Sequence, residues 1–289
     1  MSTALIRPAR AQDKEAVLGF TTNTWDWGDY IGYAWDQWLA QPNAELSVAE
    51  LDGAVVGLCM TSLASPTEGW LQGLRVHPDY RRLGLARQLT DYQLDLLRRW
   101  RVPVVRLAVH CRNVASQTHV AHMGFRRMTT FAPIRQATAS LTDSDETAET
   151  VPAAEAEAMW AQLASSPTLR AAAGLWARGW TWLRLTREVI EEQVQQGQVV
   201  GVRGEGGRWA ALAIAHNDDE EQHVGYVDGS GEALARLARA LTGRARRAAV
   251  ASSTVALPPV PEIVSAFRRA GYVPEEGGAG IYIYELPLR

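Results

Sequence analysis

The sequence has little lysine or cysteine and no long apolar run, and each shortage excludes a class of protein. Lys14 is the single lysine, and the formal net charge is -3, so we expect no nucleic-acid-binding surface. The cysteines Cys59 and Cys111 lie in or beside apolar runs, which favours a reducing compartment over a disulfide framework. No run reaches membrane-spanning length, and the N-terminus lacks a signal-peptide core. We therefore expect a cytoplasmic protein without nucleic-acid or membrane partners.

The length of 289 residues favours two domains. One segment, residues 141–151, is acidic and poor in apolar side chains, which is typical of a linker. We predict an N-terminal domain at residues 1–140 and a C-terminal domain at residues 151–289.

The first half predicts an antiparallel meander followed by a crossover. Strand-like runs at residues 45–49 and 54–60 flank Asp52-Gly53, a strong hairpin signal, and a third run follows at residues 69–76. From Leu85 the apolar residues recur at helical spacing, and a buried strand follows at residues 104–109. A strand, a helix and a strand in succession make the two strands parallel.

The turn between the third strand and this helix is basic and contains a glycine. Its N–H groups lie at a helix N-terminus, where anions bind, and its arginines add positive charge. The residues of this turn are Arg81, Arg82, Leu83, Gly84, Leu85, Ala86 and Arg87. The pattern predicts an anion site, although a solvated arginine face would look the same.

With its flanking residues, this turn resembles the GCN5-related N-acetyltransferase (GNAT) family. The family pattern Val-x-Pro-x-x-Arg/Gln-x-x-Gly-x-Gly/Ala is matched by Val76, Pro78, Arg81, Gly84 and Ala86. A later family signature is matched by Asn113, Gly124 and Phe125. The resemblance covers residues 54–127.

The resemblance implies acetyl-CoA as the donor substrate and no metal. The pyrophosphate would bind the backbone N–H groups of residues 81–87, and the pantetheine would pair with Leu74 and Val76 where two parallel strands splay apart. A backbone N–H near these two residues is our candidate oxyanion donor. Asn113 and Ser116 are further expected contacts of the cofactor.

Two positions depart from the family pattern. Many members carry a tyrosine, the acid for the leaving thiolate, seven residues after the asparagine, and here that residue is Val120. Ser116 or His119 could replace it, although a histidine there is more often a packing residue. A strand position that often bears a glutamate is Gln72, which cannot accept a proton.

The family pattern therefore does not identify the general base. The candidates are Glu68, His110, Asp26 and Asp29, and water or an amine that arrives neutral are alternatives. The aromatic cluster at residues 25–30 is either core material or a wall of the acceptor site.

The second half of the sequence repeats the pattern of the first but lacks its predicted cofactor-binding residues. An offset of 147 residues carries Gly84 onto Gly231 and Gly124 onto Gly271. The same offset places Asp228 at the position of Arg81 and Val260 at that of Asn113. A carboxylate is electrostatically wrong for a pyrophosphate site, so we predict a degenerate copy that binds no CoA.

Together these features predict an α/β protein of two tandem GNAT-like domains, each a mixed, mostly antiparallel sheet with a splayed parallel pair flanked by helices. The expected activity is transfer of an acetyl group to a primary amine of a small molecule. The alternatives are a non-catalytic acyl-CoA-binding or regulatory module and an acetyltransferase of protein or peptide N-termini. A homodimer is left open.

Overall fold

The computed structural model describes residues 4–22, 24, 28–137, 146–275 and 280–288. Trp25, Asp26, Trp27 and residues 141–145 of the predicted linker lie outside the described residues. The chain forms two compact units, and each takes segments from both halves of the sequence. Unit 1 comprises residues 1–108, 113–127 and 284–289, and unit 2 comprises residues 109–112 and 128–283. The predicted domain boundaries at 140 and 151 stay a prediction.

Unit 1 carries the predicted meander and crossover. Its strands are β1 (Leu5–Pro8), β2 (Ala44–Leu51), β3 (Ala54–Ser65), β4 (Glu68–Val76) and β5 (Val104–His110, as far as Ala108). Its helices are α1 (Lys14–Thr21), α2 (Ile31–Ala40), α3 (Leu85–Arg99) and α4 (Val114–His122). The order β1-β2-β3-β4-β5 is antiparallel as far as β4, and β4 pairs with β5 in parallel. The predicted α/β fold is confirmed.

The Asp52-Gly53 hairpin is also confirmed, because both residues have positive φ angles, 50° and 82°, between β2 and β3. Helices pack on both faces of the sheet. On one face α1 and α2 bury Val17, Ile31 and Trp35 against β2 and β3. On the other face Leu85 and Leu89 of α3 pack on Ala49 and Val56.

Unit 2 continues the chain from β6 (Arg126–Ala137), of which it holds Met128 onward. Its next elements are β7 (Glu149–Thr150), α5 (Ala156–Ala164), α6 (Pro167–Ala171), β8 (Leu175–Arg178), β9 (Thr181–Arg184), α7 (Arg187–Gln195), β10 (Val199–Arg203) and β11 (Trp209–Asn217). They are followed by β12 (Glu221–Gly229), α8 (Gly231–Arg247), β13 (Ser252–Leu257), α9 (Pro261–Arg269), β14 (Val273–Pro274) and β15 (Ile281–Pro287). The order β6-β13-β12-β11-β10-β7 contains one parallel pair, β12 with β13.

The internal repeat is visible in matching helices. The first residues of α4 and α9, Val114 and Pro261, are 147 residues apart, and so are their last residues, His122 and Arg269. In both units a parallel strand pair precedes such a helix. Within the described residues, no helix is long and apolar enough to cross a membrane.

The last strand of the chain contributes to both units. Unit 1 holds Tyr284–Pro287 of β15, next to β5, and the N–H of Leu288 donates to the carbonyl of Pro103 at 2.8 Å. Glu285 there accepts from the buried Arg106 of β5 at 2.7 Å, and Arg106 also pairs with the buried Glu68 of β4. Unit 1 therefore needs the C-terminal end of the chain to complete its sheet.

Candidate active site

The parallel strands β4 and β5 separate beyond their first four pairs. Pairing runs from Glu68 with Val104 to Leu71 with Leu107 and ends there. On its other side β4 carries a bulge, because Arg75 pairs with Leu58 and Gln72 pairs with Met60, which leaves one extra residue in β4. Gly73 has a φ of 68° within this bulge. The separation opens β4 at Leu74 and Val76, the two residues predicted to pair with the pantetheine.

The basic turn leads from this gap into α3. A 3-10 turn at Pro78–Tyr80 follows β4, and Arg82 and Gly84 take positive φ angles of 65° and 81°. Gly84 is the N-cap of α3, and no side chain accepts a hydrogen bond there. The first N–H groups of α3 thus lack a capping side chain, which is the state in which a helix start binds an anion.

The arginines of the turn are exposed to solvent. Arg81 donates from Nε to the carbonyl of Val76 at 3.4 Å, and Arg87 lies 3.5 Å from Asp91. Arg82 makes no hydrogen bond or ion pair with the described residues. Leu83 and Gly84 are exposed, Leu85 is buried, and Ala86 is half-buried. A side chain at Gly84 would meet no atom within 4 Å, so this position is open to a ligand.

The start of α4 holds the other expected cofactor contacts. Asn113 is the N-cap of α4, and its Oδ1 accepts from the N–H of Ser116 at 3.0 Å. The Ser116 hydroxyl makes no hydrogen bond with the described residues, and the side chain is half-buried. Ser116 is therefore free to contact a ligand, whereas the Asn113 side chain is engaged in capping.

The candidate acid His119 is joined to α3. Its Nε2 lies 2.9 Å from Oγ1 of Thr90, and that hydroxyl donates to the carbonyl of Ala86 at 2.9 Å. Since a hydroxyl has one proton, Nε2 is the donor to Thr90. Burial, with a contribution from His122, lowers the pKa of His119. These contacts favour a packing role for His119, and its role as acid stays a prediction.

Val120, at the position of the usual tyrosine, is buried. It offers no proton, as the sequence predicts.

The candidate bases are not brought together. Glu68 begins β4, and it lies roughly 20 Å from Leu74 at about 3.3 Å per strand residue. It is engaged with Arg106 and with Ser65, whose hydroxyl donates to it at 3.2 Å. The structure therefore does not bring Glu68 to the gap between β4 and β5.

Of the other candidate bases, His110 has its Nδ1 accepting from the N–H of Arg112 at 3.2 Å. Burial, and then the charge of Arg112, lower the pKa of His110. Asp26 lies outside the described residues. Asp29 lies beside the bulge of β4, and its carboxylate is occupied by Arg75 at 2.8 Å.

Sequence reasoning missed Arg75 as a residue of this region. It stands between Leu74 and Val76, and its partner Asp29 is 46 residues away. The sequence signal was Gly73, whose missing side chain makes room for the Trp38 ring, 2.7 Å from where a Cβ would be.

The equivalent region of unit 2 is closed. β12 ends at Gly229 and α8 starts at Gly231, so a single residue replaces the basic turn. Glu262 of α9 accepts from the N–H of Gly231 at 2.7 Å, so a carboxylate of the protein already occupies this helix start. Asp228 lies in β12 and accepts from the hydroxyl of Tyr226 at 3.0 Å. These contacts give a physical reason for the prediction that the second copy binds no CoA, which stays a prediction.

The comparisons with known proteins give a family match in the first half of the chain and structural matches over nearly the whole chain. Residues 14–125 match the family model described as "Acetyltransferase (GNAT) family". No curated protein sequence matches the chain significantly.

Solved structures match over nearly the whole chain. A GCN5-related N-acetyltransferase from Sphaerobacter thermophilus is 16% identical, with 99% of this chain and 96% of that chain covered and a TM-score of 0.66. A putative acetyltransferase from Thermoplasma acidophilum is 15% identical, with 98% and 99% covered and a TM-score of 0.60. A tandem GNAT protein from the clavulanic acid biosynthesis pathway is 16% identical, with 99% of both chains covered and a TM-score of 0.56. These likenesses establish a shared fold, and residues 14–125 are similar to the acetyltransferase (GNAT) family.

Proposed function

We propose that unit 1 is an N-acetyltransferase that transfers the acetyl group of acetyl-CoA to a primary amine of a small molecule. The observation that carries the proposal is the continuity of two features: the gap between β4 and β5, and the uncapped start of α3 directly after it. An elongated ligand with an anionic middle and a narrow arm fits this arrangement.

The residues present fit acetyl-CoA. Residues 81–87 supply backbone N–H groups and three exposed arginines for a pyrophosphate. Leu74 and Val76 lie beyond the last pair of β4 with β5, and their carbonyls accept from the Arg75 and Arg81 side chains. When bound, acetyl-CoA supplies a thioester carbonyl that an amine can attack.

The protein's own contribution is then mainly orientation. Holding an amine and a carbonyl in the correct geometry accounts for a large part of such a rate enhancement. A backbone N–H of the bulged segment of β4 would stabilise the negative charge that develops on the carbonyl oxygen. Ser116, with its free hydroxyl, is our preferred proton donor to the leaving thiolate. The amine loses its proton to water or arrives neutral, since Glu68 is held by Arg106.

The central test is replacement of Gly84 by glutamate. The substitution places a carboxylate at the uncapped start of α3, so we expect acetyl-CoA affinity to fall at least ~100-fold, or about 2.7 kcal/mol. The measurement is calorimetric titration with acetyl-CoA.

Gly53→Glu is the matched control for this variant. Gly53 has a φ of 82° and open space around it, as Gly84 does, so the backbone strain is the same. Gly53 lies in the β2–β3 hairpin, outside residues 81–87. Equal affinity of Gly84→Glu and Gly53→Glu would contradict the proposed donor site.

The second candidate is a non-catalytic acyl-CoA-binding module. It is favoured by the buried Val120 where many relatives of the family carry a tyrosine acid. Free CoA can be followed with a thiol reagent while acetyl-CoA is supplied with ethanolamine, lysine, glucosamine, spermidine or phenylethylamine. Tight binding of acetyl-CoA without release of CoA in any mixture would support the module instead of the enzyme.

A further inference from the structure

A buried ion pair lies next to the bulge of β4. The Asp29 side chain is 2% exposed, and Arg75 donates to it from Nε at 2.8 Å and from Nη2 at 3.2 Å. Burial is the largest single effect and lowers the pKa of Arg75, but the hydrogen bonds and charges of Asp29 and Tyr30 together outweigh it, so the pKa is raised overall. The two side chains are therefore joined by two hydrogen bonds.

The pair connects two elements with different tasks. Asp29 also accepts from the N–H of Ile31, the first residue of α2, at 3.2 Å. Arg75 in turn donates from Nη1 to the carbonyl of Leu74 at 3.1 Å. One carboxylate therefore holds the start of α2 and, through Arg75, the segment of β4 that faces the gap.

An aromatic ring is held at the same place. The Arg75 guanidinium lies 5.3 Å from the centre of the Tyr30 ring, and the Trp38 ring meets Tyr30 edge-on at 5.8 Å. Trp38 itself packs on Gly73 of the bulge. Tyr30 remains 38% exposed, so one part of a fixed ring faces solvent beside the donor strand.

We propose that Asp29 and Arg75 are positioning residues that fix the bulged donor strand and the Tyr30 ring relative to each other. The inference rests on the proposed acetyltransferase function. Neither residue exchanges a proton with the substrates. Their effect is to hold the donor carbonyl, bound along Leu74 and Val76, at a constant distance from an acceptor amine that binds against Tyr30.

The test is Asp29→Asn, which keeps an oxygen for the Ile31 N–H and removes the charge that holds Arg75. The assay uses acetyl-CoA with whichever amine of the five-member panel the wild type acetylates fastest. We expect kcat to fall about 10- to 100-fold, because misplacement of reacting groups by about 1 Å has effects of that size. We expect the Kd for acetyl-CoA to change less than about threefold, because residues 81–87 are untouched.

Asp13→Asn is the matched control. Asp13 is also buried, at 5% exposure, and accepts two hydrogen bonds from Arg7 at 2.8 and 2.9 Å. That pair joins β1 to α1 and lies outside the bulge. A purely structural ion pair would make both variants lose thermal stability while kcat stays at the wild-type value.

Equal kcat for Asp29→Asn, Asp13→Asn and the wild type overturns the inference and leaves the proposed function intact. Arg75→Lys covers the case in which Asp29→Asn does not fold: it retains the charge but not the two-pronged geometry, and we expect it to fold with a lowered kcat. If both variants at this pair are unfolded, the pair is a general stability element and the inference is wrong. Absence of turnover by the wild type with all five amines would overturn the proposed function and this inference together.

Discussion

His119 shows how burial changes the behaviour of a single titratable residue. Its imidazole is half-buried between α4 and α3 and donates to Thr90, which donates to Ala86 in the first turn of α3. Burial lowers its pKa below the ordinary value of 6.5, because a charged ring is poorly solvated there.

We predict from this that His119 makes the free energy of unfolding fall with acidification. Well above pH 6.5 the ring is neutral in both the folded and the unfolded chain, so it contributes no slope. As the pH falls below 6.5 towards the lower folded pKa, the unfolded chain binds the extra proton first, and the folded state loses stability.

His119→Gln should flatten part of this slope, which urea unfolding at a series of pH values between about 5 and 7 measures. His122→Gln, at an exposed position of the same helix, should change the slope less, because His122 acts on His119 only through its charge and burial is the main cause. An unchanged slope in His119→Gln would show that the histidine is solvated in the folded protein.

Strands β4, β5 and β15 are tied together by charge inside unit 1. Arg106 is buried and bridges Glu68 of β4 and Glu285 of β15. Removing one partner of a buried pair leaves an uncompensated charge, which is more costly than losing the whole cluster.

Arg106→Gln is therefore expected to lower the free energy of unfolding by about 3–5 kcal/mol. The triple variant Glu68→Gln, Arg106→Met, Glu285→Gln should recover most of the lost free energy of unfolding. Arg98→Gln is the surface control, because the Arg98–Asp95 pair is exposed and is worth under about 1 kcal/mol. The measurement is urea unfolding followed by tryptophan fluorescence, and a small effect of Arg106→Gln would mean that water reaches the cluster.

At the scale of the whole molecule, unit 1 is built from three separate segments of the chain. Residues 284–287 supply a strand beside β5 and the carboxylate of Glu285. The first 140 residues alone would expose the edge of β5 and leave Arg106 with one partner fewer.

We predict that truncation after Ile283 lowers the stability of unit 1 by on the order of 3 kcal/mol, because Arg106 loses Glu285. Amide hydrogen exchange of residues 104–108 should accelerate, since this edge of β5 loses its neighbour. Truncation after Leu288 removes only Arg289 and is the control. Unchanged protection of β5 after the longer truncation would mean that unit 1 is complete without the C-terminal strand.

The sequence alone determined the elements around the candidate site. The hairpin at Asp52-Gly53, the helix from Leu85 and the parallel pair of β4 with β5 all arise from short-range signals: a turn dipeptide, helical periodicity and a crossover connection. The glycine turn at residues 81–87 is likewise local, because its backbone conformation and its arginines lie within one short segment.

Only the tertiary structure decided which groups share that site. The fold places Glu68 at the end of β4 that is far from the gap. It brings Asp29 to Arg75 across 46 residues and Glu285 to Arg106 across 179 residues. It also placed Glu262 on the start of α8, which closes the second copy. Pairings of this kind depend on how strands and helices pack, and no spacing along the chain encodes them. The local sequence therefore specified the glycine turn at residues 81–87, whereas long-range packing determined its surroundings.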